Sequence, residues 1–183
     1  MWQRHIPNLI TLFRFLLIPP VLWLILHQRS DLALVLFALA GLSDGLDGWL
    51  ARRHGWRSRL GAFLDPLADK TLMTTTTLLL GWQHMLPWWL VAIIIGRDLI
   101  ILAGAAAFHL LTQRLEMQPS LLSKFNTVVQ IVLVVAVLWH HGVASLPQML
   151  MNGLMGLALF TTLASGLDYV VRWSDKARAA LRS

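Results

Sequence analysis

Six apolar stretches, each long enough to cross a bilayer, constrain this chain more than any other feature. They run over residues 8–26, 32–50, 61–82, 87–111, 121–139 and 147–173. An α-helix needs about 20 residues to cross ~30 Å of hydrocarbon at ~1.5 Å per residue. Lipid leaves no backbone donor or acceptor unanswered, and runs of this length satisfy theirs as helices. The chain is 57% hydrophobic and only 13% charged, with a mean hydropathy of +0.65, which excludes a soluble domain of ordinary make-up. The pattern predicts an all-α integral membrane protein, a six-transmembrane-helix bundle. Residues 1–183 form a single domain, because no polar linker is long enough to set off another. Pro19 and Pro20 remove two backbone donors and are expected to kink the first helix. Residues 1–7 read as an interfacial segment. The run that follows is too long for a cleavable signal peptide and lacks a small-residue cleavage site. Residues 51–60 read as a short basic loop, and residues 174–183 as a basic tail on anionic lipid.

Orientation follows from the basic residues. With the N-terminus in the cytoplasm, the inner segments receive Arg4, Arg52, Arg53, Arg57, Arg59, Arg114, Lys124, Arg172, Lys176, Arg178 and Arg182. The outer loops receive only Arg29. The positive-inside rule therefore places both termini in the cytoplasm. Trp82, Trp88, Trp89 and Trp139 fall near span ends, where an aromatic belt sits. The net charge of +6 suits an anionic lipid surface, nothing resembles a nucleic-acid module, and the absence of cysteine removes disulfides and thiolate metal sites.

Against this apolar background stand four carboxylates, Asp44, Asp47, Asp65 and Asp69. Asp44 and Asp47 are three apart and Asp65 and Asp69 four apart, so on helices each pair shares a face, one turn between partners. An ionised side chain in a bilayer costs at least ~2.5–3.5 kcal/mol and is rarely idle. Four together repel unless cations hold them, and hard divalent metals prefer such oxygen ligands. On the topology above the cluster opens to the cytoplasm. The plainer alternative pairs the carboxylates with Arg52, Arg53, Arg57 and Arg59 at the membrane edge, but edge ion pairs need no glycines at fixed offsets. Gly41 and Gly45 allow close helix approach, and Gly48 leaves its stretch of backbone open to close approach.

The full spacing, D-x2-D-G-x2-A-R-x8-G-x3-D-x3-D, runs from Asp44 to Asp69 and resembles the signature of the CDP-alcohol phosphatidyltransferases at all eight fixed positions. The resemblance implies an enzyme that passes the phosphatidyl group of CDP-diacylglycerol to an alcohol and releases CMP. Carried over by position, it implies that Asp44, Asp47, Asp65 and Asp69 ligate two magnesium ions, with manganese able to stand in. Asp69 would also be the general base, and Gly48, Arg52 and Gly61 would line the CDP site. It further implies a six-helix bundle, a homodimer, and a bacterial inner membrane location with the site facing the cytoplasm.

Four further cations, Arg14, Lys70, Arg97 and Lys124, lie in or beside apolar sequence. Collected near the aspartates they would hold a phosphate-bearing acceptor. The competing reading is charge neutralisation within the bilayer, with Arg97 or Asp98 pairing to a neighbouring helix. The segments Gly96-Arg-Asp98 and Ser123-Lys-Phe-Asn-Thr-Val-Val-Gln130 resemble the CMP-forming cardiolipin synthases. Phosphatidylglycerophosphate synthases more often carry a second lysine where Asn126 stands. Phosphatidylglycerol is therefore the expected acceptor, with glycerol 3-phosphate as the alternative. A small anion or proton transporter is the reading from another class. Transporters place such residues at the midplane of repeated halves, and these halves do not repeat.

Overall fold

The computed structural model describes the backbone of residues 6–54, 59–112 and 120–180, and the side chains of 13–43, 67–104 and 120–172. Among these residues there are six helices and no strand: α1 Ile6–Leu26, α2 Ser30–His54, α3 Arg59–Trp82, α4 Trp88–Thr112, α5 Leu121–Gly142 and α6 Gln148–Ala180. Each coincides with one apolar stretch. Pro19 and Pro20 lie within α1, which is assigned as a single helix of 21 residues. Two polar segments are more helical than expected. α2 runs on through Ala51, Arg52, Arg53 and His54, and α6 runs on through Lys176 and Arg178 to Ala180. Alanine, arginine and lysine are strong helix formers, and cations suit the negative end of the helix dipole, so neither helix stops where hydrophobicity does. Within these helices, α5 (Leu121–Gly142) and α6 as far as Arg172 are long and apolar enough to cross a membrane; this test covers the described residues only.

The chain forms two compact units. One comprises the residues up to Leu86 together with Val134–Leu146, and the other Pro87–Leu133 together with the residues from Pro147 onward. In the first unit α1 packs on α2 and on α3. The buried positions of α1 are Arg14, Leu17, Ile18, Val21, Leu24 and Ile25, a stripe at helical spacing. Phe13, Leu16 and Trp23 are exposed on the opposite side of the helix. Between apolar faces in lipid the attraction is close packing rather than water release.

Helix ends fix the direction of packing. α1 ends with Gln28 in the left-handed conformation at φ 60°, and Arg29 N–H donates to Leu24 O at 2.9 Å. α3 ends in the same way, with His84 at φ 57° and Met85 N–H donating to Leu80 O at 2.9 Å. Both are Schellman-type stops that use a residue other than the usual glycine. The Gln28 amide donates to Gln83 Oε1 at 3.2 Å, and the Gln83 amide donates to Leu26 O at 3.3 Å. The C-termini of α1 and α3 therefore lie side by side, so these helices run parallel. Gly142, at the end of α5, meets the backbone of Ser30 and Asp31 at the start of α2. A β-carbon on Gly142 would come within 3.0 Å of that backbone, so only glycine fits.

In the second unit α4 packs on α6. Tyr169 donates its hydroxyl to Ile101 O at 2.9 Å, and its ring covers Gly104, where a β-carbon would lie 3.0 Å from Cε1. One turn earlier on both helices Gly166 faces the Arg97 side chain, so α4 and α6 run parallel. Asn126 of α5 bonds to Thr161 and Thr162, and Ser123 reaches the residue that also holds Ser165. Rising numbers on α5 thus meet falling numbers on α6, which makes these two antiparallel. Each unit alternates direction as short connections between successive helices require.

Candidate active site

Helix α2 carries Asp44, Asp47, Gly48 and Arg52, and α3 carries Gly61, Asp65 and Asp69. Unbroken helix through both segments puts the members of each carboxylate pair one turn apart on a shared face. The side chains of Asp44, Asp47, Asp65 and Arg52, and the surroundings of Gly48 and Gly61, lie outside the described residues. Asp69 is described. Its carboxylate is 42% exposed and lies 3.8 Å from Nη1 of Arg14, which is 1% exposed. Arg14 occupies the buried stripe of α1, and the α1–α3 packing brings the two together. Lys70, the next residue along α3, is half-buried. A donor set of four carboxylates on two successive helices is all oxygen and hard, and Asp69 keeps some of its surface open. Carboxylate oxygens of this kind are the ligands that hard ions such as magnesium and manganese prefer.

Arg97 belongs to the second unit and is 8% exposed. Its Nη1 donates to Asp98 Oδ1 at 2.9 Å, while Nη2 donates to Ser123 Oγ of α5 at 2.6 Å and to Ser165 Oγ of α6. One guanidinium thus joins three helices, and the neutralising pairing with Asp98 is realised. Lys124, beside Ser123 in the first turn of α5, is exposed.

Three residues beyond Ser123, Asn126 is completely buried. Its Oδ1 receives the hydroxyls of Thr161 at 2.9 Å and Thr162 at 3.0 Å. Four residues beyond lies Gln130, 5% exposed. Arg97 Nε, Asn126 Nδ2 and Gln130 Nε2 are buried donors that meet no acceptor among the described residues. A buried donor left unmet costs about 1–3 kcal/mol. Three together cost roughly 3–9 kcal/mol, a sizeable fraction of the ~5–15 kcal/mol by which a folded domain is stable. Sequence reading identified Arg97 and Lys124 as cations but not Thr161, Thr162 and Ser165, whose α6 segment has no motif. Their only signal is three hydroxyls on one face of an apolar helix.

Six helices follow the six apolar stretches, two of them long and apolar enough among the described residues to cross a membrane, and polar groups are buried within their packing. Residues 4–164 match the CDP-alcohol phosphatidyltransferase family model, and the chain belongs to that family. It is 33% identical over 186 residues to a probable cardiolipin synthase (CMP-forming) of Drosophila melanogaster, covering 91% of this chain and 56% of that protein. It is 35% identical over 180 residues to the cardiolipin synthase (CMP-forming) of Homo sapiens, covering 90% and 60% respectively. It is also 35% identical over 147 residues to the CDP-diacylglycerol–glycerol-3-phosphate 3-phosphatidyltransferase of Salmonella typhimurium, covering 77% of this chain and 80% of that one. The chain therefore spans little more than half the length of these two cardiolipin synthases.

Proposed function

We propose that this protein transfers the phosphatidyl group of CDP-diacylglycerol to phosphatidylglycerol, forming cardiolipin and releasing CMP. The observation that carries the proposal is the eight-position motif set on two successive helices of a chain that belongs to this family. The acceptor hydroxyl oxygen forms the new bond to the phosphatidyl phosphorus, and the bond from that phosphorus to the CMP oxygen breaks. An alkanol is a weak nucleophile, so its proton must leave as it attacks; Asp69, the described carboxylate with open surface, takes it. Asp44, Asp47, Asp65 and Asp69 would hold two divalent ions, magnesium first, which would supply charge to offset the pyrophosphate and favour departure of CMP. Gly48 and Gly61 would let the nucleotide approach the backbone, and Arg52 would supply a cation for its phosphates. Arg14 holds the Asp69 carboxylate, with Lys70 adding positive charge on the same helix. Arg97 and Lys124 serve the acceptor.

Position 126 supports the choice of acceptor. It is interior and filled by a neutral amide bonded to two hydroxyls, so it supplies no second cation for a phosphate dianion. A phosphodiester with one negative charge needs none. Glycerol 3-phosphate remains the second reading, because the chain covers 80% of the Salmonella enzyme that uses it by name. Completing the proposal, all six helices span the bacterial inner membrane as one domain with both termini and the site on the cytoplasmic side, and the protein pairs as a homodimer. Purified protein given CDP-diacylglycerol, magnesium and either acceptor tests the reaction: cardiolipin is expected from phosphatidylglycerol. Faster incorporation of glycerol 3-phosphate would reverse the choice, and no CMP from either would refute the family reaction here.

A further inference from the structure

Arg97 has a long, flexible and buried side chain, and α6 gives it a seat. Its stem runs over Gly166, where a β-carbon would lie 3.6 Å from Arg97 Cγ, an ordinary contact. Its head reaches Ser165, the residue before, whose Oγ accepts from Nη2. Ser165 is 1% exposed and stands near the middle of α6. The backbone around it is pinned on either side. Thr161 and Thr162, one turn before, bond to Asn126 of α5, and Tyr169, one turn after, bonds to Ile101 O of α4. The other two partners of the guanidinium fix it less well. Asp98 is the next residue on the same helix, so it moves with Arg97. Ser123 lies in the first turn of α5, and helix ends fray.

We propose that Ser165 is a positioning residue for the transfer reaction, holding the Arg97 guanidinium in the orientation that the acceptor meets. The inference rests on the reading of Arg97 as a residue that serves the acceptor. A guanidinium is a rigid planar fork, so the direction of one N–H sets the direction of the others. Nη2 donates to two hydroxyls on two helices, Ser123 and Ser165, and this fixes the plane. A hydroxyl oxygen does so while leaving the cation its charge, which a second carboxylate would cancel. Groups that meet a substrate work only when held close to the productive geometry, and a side chain this long needs a rigid neighbour to hold it.

Ser165→Ala, Arg97→Ala and the double variant are compared with wild type in detergent, with phosphatidylglycerol and glycerol 3-phosphate each as acceptor. KM is measured for the acceptor at saturating CDP-diacylglycerol, and for CDP-diacylglycerol at saturating acceptor. Arg97→Ala should raise the acceptor KM about tenfold to a hundredfold, the loss of one hydrogen bond to a charged group. Ser165→Ala should raise it about threefold to tenfold, the scale of one ordinary hydrogen bond. The KM for CDP-diacylglycerol should stay at the wild-type value in both. In the double variant the acceptor KM should equal that of Arg97→Ala alone, because Ser165 then has nothing to hold. Ser165→Thr restores the hydroxyl and should recover most of the loss. If Ser165→Ala does not fold, Ser165→Cys keeps the size with a weaker acceptor and takes its place. An acceptor KM unchanged in Ser165→Ala but raised in Arg97→Ala overturns the positioning role and leaves Arg97 serving the acceptor. Equal rises in the KM of both substrates, or a further rise in the double variant, overturn it too, since Ser165 then acts on the fold rather than through Arg97. An acceptor KM unchanged in Arg97→Ala refutes the acceptor role of Arg97 itself, and the positioning role falls with it.

Discussion

Replacing Arg14 by methionine removes a buried cation 3.8 Å from Asp69. At that distance the attraction is about 4 kcal/mol for an effective dielectric constant near 20. Asp69 is 42% exposed, so solvent screens much of this and leaves about 1–3 kcal/mol holding the carboxylate. Methionine fills the site without a charge to compensate, and exchanging a buried ion for an apolar side chain is often neutral for stability. The thermal midpoint should therefore move by no more than about 4 °C, the shift for roughly 1 kcal/mol in a chain of this size. Turnover should suffer more. With the Arg14 charge gone Asp69 is held less closely, and kcat should fall about tenfold to a hundredfold, or roughly 1.4–2.8 kcal/mol in the barrier. Acceptor KM should stay near wild type, and Arg14→Lys should recover some of the loss by restoring the charge. Initial rates of CMP release at varied acceptor, with the midpoint measured on the same samples, give all of these quantities. A raised acceptor KM with kcat intact would refute this reasoning and make Arg14 an acceptor ligand instead.

CMP release should stop in excess chelator and return with magnesium, because four carboxylates on two successive helices are read here as the ligands of divalent ions; full activity in chelator would remove the metal reading. Asp69→Asn should abolish turnover yet leave CDP-diacylglycerol binding largely intact, and near-normal turnover would show that the base lies elsewhere. Gly142→Ala should destabilise the first unit by about 1–3 kcal/mol, since its new carbon meets the Ser30–Asp31 backbone, which cannot yield as a side chain would. A thermal midpoint equal to wild type would mean that the α2 and α5 ends are not so close.

Much of this protein is legible in its sequence. Apolar length marks all six helices, because hydrophobic runs and helical hydrogen bonding answer the same solvent. It misplaces only the ends: α2 and α6 continue through Arg52 and Arg178, because backbone propensity does not stop where hydrophobicity does. The family is legible as well, since the motif that carries it lies in fixed spacing over two successive helices. What the tertiary structure alone decided is which polar groups meet. Arg14 and Asp69 lie fifty-five residues apart, and nothing local to either names the other; the packing of α1 on α3 does. Arg97 and Lys124 look alike in sequence, yet one is locked between three helices and the other is exposed. The unmet donors of Asn126 and Gln130 are a property of the α5–α6 seam, visible only once every nearby acceptor is known. Periodicity along a chain determines which face of a helix is buried. The partner of a buried polar group depends on which helices pack together, and that is settled over the whole chain.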